Sequence, residues 1–207
     1  MPNGRSPSIL WLAAALAIAV SVVYLLTRRA SASPPPPPPS GAFTNQGGHR
    51  GAKARWVLVL DLDETLVHSP NEGRAETIER PHVREFLRRA AEAFDEVAVF
   101  TAGTMDYASP ILDRLDPVGR VFGRRFFRES CSIVEAPGGG GLSVVKDLRI
   151  LGEVDLSRVR LVDNTPSTYA YQPRCGVPIS SFYGDPADDA LPQTLARLLA
   201  EVAADRA

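Results

Sequence analysis

Cysteine is scarce in this 207-residue chain: Cys131 and Cys175 are the two present, in unrelated contexts, which excludes a disulfide framework and offers no zinc-ligand spacing. Both read as buried core residues. An excess of either charge is missing as well. With 23 Lys and Arg against 24 Asp and Glu the formal net charge is -1, and the chain has no basic footprint for direct nucleic-acid contact. No Asn-x-Ser/Thr sequon occurs, as befits a catalytic part that never meets the glycosylation machinery. His49, His68 and His82 fall at no ligand spacing and are assigned no catalysis. No repeat of solenoid period is visible.

Long apolar runs are confined to one, Ile9 to Leu26, with no charge in it. As a helix rising 1.5 Å per residue it spans about 27 Å, close to a thin endoplasmic-reticulum bilayer. Trp11 and Tyr24 sit near its ends, at headgroup level. Arg28, Arg29, Arg50, Lys53 and Arg55 follow it against Arg5 before it, which places the C-terminal side in the cytoplasm. A cleaved signal peptide carries its charge ahead of a shorter apolar region, and a mitochondrial presequence is Arg-rich and amphipathic. The expectation is therefore a short N-terminal segment at 1–8 and an uncleaved, single-pass signal-anchor transmembrane helix at 9–26. Residues 27–55 form a Pro/Gly/Ser-rich linker. Its prolines from Pro34 to Pro39 make a polyproline II spacer of about 19 Å, with a ligand for an SH3 or WW module as the lesser alternative.

From 56 to 207 the pattern alternates strand and helix, an α/β arrangement with a parallel sheet. Val57-Leu58-Val59-Leu60 reads as a strand buried on both faces, and it ends abruptly in Asp61-Leu62-Asp63-Glu64-Thr65. Glu96 to Phe100 repeats the theme and ends at Thr101-Ala102-Gly103. Val159 to Val162 runs into Asp163-Asn164. Pro81 can open a helix whose buried face carries Val83, Phe86, Leu87, Ala90 and Ala91. Met105 to Leu115 reads as the next helix, Val121 to Phe127 as extended, Pro137 to Gly141 as a flexible loop, Val177 to Ile179 as a further strand and Ala187 to Ala203 as a closing amphipathic helix.

In open α/β sheets ligands bind outside the carboxyl ends of the strands. Asp61 and Asp63, two apart on an extended chain, share a face and address one small volume, with the Thr65 hydroxyl arriving at the turn. Mg²⁺ asks for hard oxygen ligands at roughly 2.0 to 2.1 Å and needs only one or two carboxylates. A carboxylate can also attack phosphorus, while a second carboxyl group in another protonation state serves the leaving oxygen and then the water. Alone, Thr101 reads as well as a helix cap, and Lys146 as solvated surface.

Asp61-Leu62-Asp63-Glu64-Thr65, Thr101, Lys146 and Asp163-Asn164, in that order, resemble the four motifs of the haloacid dehalogenase superfamily. Asp61 to Ser69, Arg80-Pro81-His82-Val83, Phe127-Arg128-Glu129-Ser130-Cys131, Val145-Lys146-Asp147-Leu148 and Val162 to Pro166 narrow this to the FCP/SCP protein serine/threonine phosphatases. That family includes small phosphatases of the RNA polymerase II C-terminal domain and the membrane-anchored Dullard phosphatase. The resemblance implies a HAD-like, Rossmann-like parallel sheet flanked by helices and a Mg²⁺-dependent phosphoprotein phosphatase working through an aspartyl-phosphate. Asp61 would be nucleophile and metal ligand; Asp63 would be general acid/base and bind the metal through its carbonyl. Thr65 and Thr101 would hold phosphoryl oxygens and Lys146 neutralise them. Asn164 would ligate Mg²⁺, Asp163 hold the metal or its waters, and Tyr107 and Arg128 contact substrate.

Two departures stand out. The insert that usually carries a β-hairpin and a proline-gripping aromatic is trimmed to Ser69 to Glu79, with Asn71 at the aromatic position, and Gly103 replaces the usual Ser. The anchor favours the endoplasmic reticulum or nuclear envelope, with the catalytic domain cytosolic. The alternatives are a binding module of the same fold, like the mitochondrial inner-membrane import receptor, and a small-molecule phosphatase of the superfamily.

Overall fold

The computed structural model describes residues 55–70, 76–135 and 141–207. The expected anchor helix at 9–26, the linker up to residue 54, Asn71 and the glycine loop before Gly141 lie outside these residues. Among the described residues no helix is long and apolar enough to cross a membrane.

In chain order the strands are β1 (Val57–Leu60), β2 (Val67–His68), β3 (Ile78–Glu79), β4 (Glu96–Phe100), β5 (Phe122–Phe126), β6 (Ser132–Glu135), β7 (Leu142–Val145), β8 (Val159–Asp163) and β9 (Gly176–Pro178). The helices are α1 (Val83–Ala93), α2 (Met105–Leu115) and α3 (Ala190–Arg206). Five strands form one sheet in the order β5-β4-β1-β8-β9, every pairing parallel. β1 lies at its centre with all four residues buried, which is why its sequence shows an unbroken apolar run rather than alternation.

Alternate residues of β1 serve different layers. Leu58 and Leu60 join the core made with Phe86 and Leu87 of α1, Leu112 of α2 and Leu195 and Leu198 of α3. Val57 and Val59 pack with Leu148, Leu161, Tyr169 and Cys175 instead. The sheet is thus flanked unequally: the three α-helices contribute to the first core, while the second is closed by short 3-10 turns such as Leu148–Leu151 and Pro166–Tyr169. Both cysteines are buried and unpaired, as expected of core residues.

Three boundaries differ from the sequence reading. Pro81 does not open α1; a turn closed by Val83 N–H on the Arg80 carbonyl at 3.1 Å precedes the helix, with His82 left-handed at φ 66°. The closing helix starts at Ala190: the Asp185 side chain accepts from the Ala187 N–H at 2.9 Å and holds that residue in a turn, and the Asp188 side chain accepts from the N–H of Ala190, the first helical residue, at 3.2 Å. The trimmed segment is closed by an antiparallel pair, β2 before it with β3 at its end, joining Val67 to Glu79 and His68 to Ile78. A separate antiparallel ribbon, β6 with β7, stands off the main sheet and leads into Lys146.

Candidate active site

A sheet with all strands parallel delivers their carboxyl ends to one edge, and the polar residues after β1, β4 and β8 meet there. Asp61 follows β1, its N–H bonded to the Val162 carbonyl of β8 at 3.0 Å. The chain then curls. The Leu62 carbonyl accepts from the N–H groups of Leu66 and Val67, at 2.9 and 3.2 Å, and Glu64 adopts a left-handed φ of 56°. This curl returns the buried Thr65 hydroxyl to the strand end, where it donates to Asn164 Oδ1 at 3.3 Å.

Lys146 is buried between two carboxylates. Its Nζ lies 2.5 Å from Asp61 Oδ1 and 2.7 Å from Asp163 Oδ2. The ribbon brings it in, and its own N–H donates to the Thr168 carbonyl at 2.7 Å, stitching it to the turn after β8. The second oxygen of Asp163 accepts from the Thr165 N–H at 2.8 Å, so both its oxygens are engaged.

Asp63 stands on the other side. The Tyr107 hydroxyl donates to its Oδ1, and the Thr101 hydroxyl faces its Oδ2 at 3.4 Å. Thr101 Oγ1 in turn accepts from the Gly103 N–H at 2.9 Å. A Cβ on Gly103 would stand 2.9 Å from Tyr107 Cδ1 and 3.2 Å from Thr101 Oγ1, so glycine here lets the ring and the hydroxyl close on Asp63. Arg128 braces the same loop, with Nε on the Ala102 carbonyl at 2.7 Å and its N–H on the Gly103 carbonyl at 2.9 Å.

All nine residues singled out from the sequence therefore lie around one sheet edge: Asp61, Asp63, Thr65, Thr101, Tyr107, Arg128, Lys146, Asp163 and Asn164. Three further residues support them. Arg80, 1% exposed, donates to both Asp188 oxygens at 2.6 and 2.8 Å, to the Thr65 carbonyl at 3.1 Å and to Ser180 Oγ at 3.0 Å. Ser181 Oγ accepts from Asn164 Nδ2 at 2.9 Å. The Phe182 N–H donates to the Glu64 carbonyl at 2.8 Å. Sequence reasoning gives none of these a role, because each partner is remote along the chain.

Burial dominates the electrostatics. It pushes the Asp61 carboxyl up to about 7, against the attraction of Lys146 and with help from Asp163. Asp63 is raised as well, chiefly by burial, with the Tyr107 hydrogen bond opposing. Burial pulls the Lys146 ammonium down, but Asp61 and Asp163 more than offset it and leave it above the ordinary lysine value. Asp61, Asp63 and Asp163 around one ammonium bring oxygen-only donors together, a set that fits a hard divalent cation. Among the described residues no three Asp, Glu, His or Cys side chains form a complete cage. Such an ion would draw on the Asp63 carbonyl, the Asn164 amide and water besides Asp61.

Comparison with known proteins assigns the whole domain to a family. The family model described as NLI interacting factor-like phosphatase matches residues 56–206. A probable C-terminal domain small phosphatase of Dictyostelium discoideum is 43% identical over 157 residues, covering 68% of this chain and 47% of that protein. Human carboxy-terminal domain RNA polymerase II polypeptide A small phosphatase 2 is 40% identical, covering 67% of this chain and 54% of its own. Nuclear envelope morphology protein 1 of Schizosaccharomyces pombe is 33% identical, covering 65% and 30%. The chain thus spans about half the length of the first two. In fold it is similar to the solved structure of Fcp1, an essential RNA polymerase II CTD phosphatase, with a TM-score of 0.50 at 20% identity, covering 73% of this chain and 50% of that one.

Proposed function

This chain belongs to the family of NLI interacting factor-like phosphatases, and from that premise we propose that it is a Mg²⁺-dependent protein serine/threonine phosphatase acting through an aspartyl-phosphate. The observation that carries the reading is the Lys146 ammonium, buried between Asp61 and Asp163 at the carboxyl edge of the sheet.

In the first step an Asp61 oxygen forms a bond to the phosphorus of a phosphoserine or phosphothreonine. The bond from phosphorus to the side-chain oxygen breaks as Asp63 gives that oxygen its proton. In the second step Asp63, now a carboxylate, takes a proton from water, the water oxygen bonds to phosphorus and the Asp61 ester bond breaks. Inorganic phosphate leaves and both carboxyl groups return to their starting states. A carboxyl group raised above its ordinary value, as burial raises Asp63, suits a residue that must first donate and then accept. The Thr65 and Thr101 hydroxyls orient the phosphoryl oxygens, and Lys146 neutralises their charge and that of Asp61.

Asp61, the Asp63 carbonyl and Asn164 would hold Mg²⁺, with Asp163 holding the ion or its waters. When bound, the ion supplies neutralisation of the phosphoryl charge. Tyr107 and Arg128 would contact the substrate. Residues 9–26 would anchor the protein in the endoplasmic reticulum or nuclear envelope, with 27–55 as spacer and the 56–207 domain in the cytosol; the resemblance to a nuclear envelope morphology protein supports that placement.

The test is Asp61→Asn in the full chain. Turnover of p-nitrophenyl phosphate in Mg²⁺ should vanish with the circular dichroism spectrum intact; retained turnover overturns the assignment. Phosphopeptides should be better substrates than sugar phosphates for the native protein.

A further inference from the structure

We infer that Ser181 is a positioning residue for the cation site: by accepting from the Asn164 amide nitrogen it holds the side chain in place with its oxygen on the reacting centre. This rests on the proposed reading of Asn164 as a Mg²⁺ ligand.

An asparagine can ligate a hard cation only through Oδ1, because its amide nitrogen carries two hydrogens and offers no lone pair. Rotation of the side-chain amide by half a turn exchanges the two ends with almost no change of shape. A cation decides between them by demanding the oxygen, and the nitrogen then needs an acceptor behind it. Here the Nδ2 group donates to Ser181 Oγ at 2.9 Å, while Oδ1 is turned to the Thr65 hydroxyl at 3.3 Å, on the side of Asp61.

The residues on either side of Ser181 are tied to the fold. Ile179 N–H donates to the Asp163 carbonyl at 3.4 Å, continuing the pairing of β9 with β8. Ser180 Oγ accepts from the buried Arg80 at 3.0 Å, and that guanidinium is fixed in turn by Asp188 and the Thr65 carbonyl. Phe182 N–H donates to the Glu64 carbonyl at 2.8 Å. The four residues after β9 thus form a strap that touches both loops of the site, the one carrying Asp63 through Glu64 and the one carrying Asn164 through Ser181. A hydroxyl on a strap held this way is a fixed reference for the amide, in the manner of the outer partners that orient metal-binding side chains.

Mg²⁺ affinity, measured by titration calorimetry on the full-length protein in detergent without substrate, tests this. Native protein is compared with Asn164→Ala, Ser181→Ala and Ser181→Thr, each checked by circular dichroism and thermal melting. Ser181→Ala should weaken Mg²⁺ binding about tenfold, approaching Asn164→Ala, while Ser181→Thr, which keeps the accepting hydroxyl, should bind within about twofold of native. If Asn164→Ala weakens binding and Ser181→Ala does not, the orienting role is overturned and the ligand role of Asn164 stands. If the threonine variant is as weak as the alanine variant, a packing role replaces the orienting one. If Asn164→Ala binds like the native protein, the ligand reading fails and the inference with it.

Discussion

The Tyr107 hydroxyl donates to Oδ1 of Asp63, across the gap between α2 and the loop that follows β1. The proposed acid and base is thereby held by a residue from a different strand-helix unit before any substrate arrives. That bond stabilises the carboxylate and lowers an Asp63 value that burial has raised.

Tyr107→Phe removes the bond. Hydrogen bonds to charged groups contribute about 1.5 to 3 kcal/mol, so kcat should fall by about tenfold or more. The carboxylate form also loses support, which moves the limb of the pH–rate profile belonging to Asp63 to higher pH. A profile on p-nitrophenyl phosphate checks both, and an unmoved limb would detach Asp63 from that titration.

Gly103→Ala places a methyl group 2.9 Å from the Tyr107 ring, a distance at which one of them must move. The backbone of Gly103 is pinned by Arg128 and Thr101, so the ring is the part that yields. The expected result is a loss of kcat in the same direction as Tyr107→Phe, with less than additive loss in the double variant. Full additivity would show that the glycine acts by another route.

Arg80 and Asp188 predict how the fold responds to acid. The hydrogen bond from Arg80 holds the Asp188 carboxyl below its usual range. A folded-state value below the unfolded one gives stability that is present above the unfolded value and is lost as pH falls through the folded one. At pH 7, Asp188→Asn leaves the Arg80 charge buried without its counterion and should cost about 3 kcal/mol. Melting curves taken from pH 7 downward should show native and variant proteins converging in acid, where the native carboxyl has been protonated. Parallel curves would assign the difference to shape rather than charge.

Much of this architecture is visible in the sequence where one local cause decides it. β1, β4 and β8 are central strands, so burial on both faces writes continuous apolar runs, and the oxygen-bearing residues begin where those runs stop. α2 carries its full span in its spacing of Ala108, Ile111, Leu112 and Leu115. The remainder depends on contacts between distant residues. Arg80 reaches Asp188 across 108 positions and Ser181 meets Asn164 across a strand, and neither pair leaves a periodic trace. β2 and β3 are two residues each, too short for any alternation to show. The start of α3 is set by Asx turns at Asp185 and Asp188, which a stretch of small and acidic residues does not distinguish from a first helical turn.

The parallel order of the sheet also separates the candidate site from the start of the domain. β1 begins at Val57, beside Arg55 and a cleft of about 450 Å³ lined by Phe94, Glu96, Phe122 and Arg124, and Asp61 lies at the other end of the same strand. At about 3.3 Å per residue, the stretch from Arg55 to Asp61 sets the two ends roughly 20 Å apart. On the proposed reading, a phosphorylated side chain delivered to Asp61 meets the rim of the sheet opposite the one that carries Arg55 and the cleft.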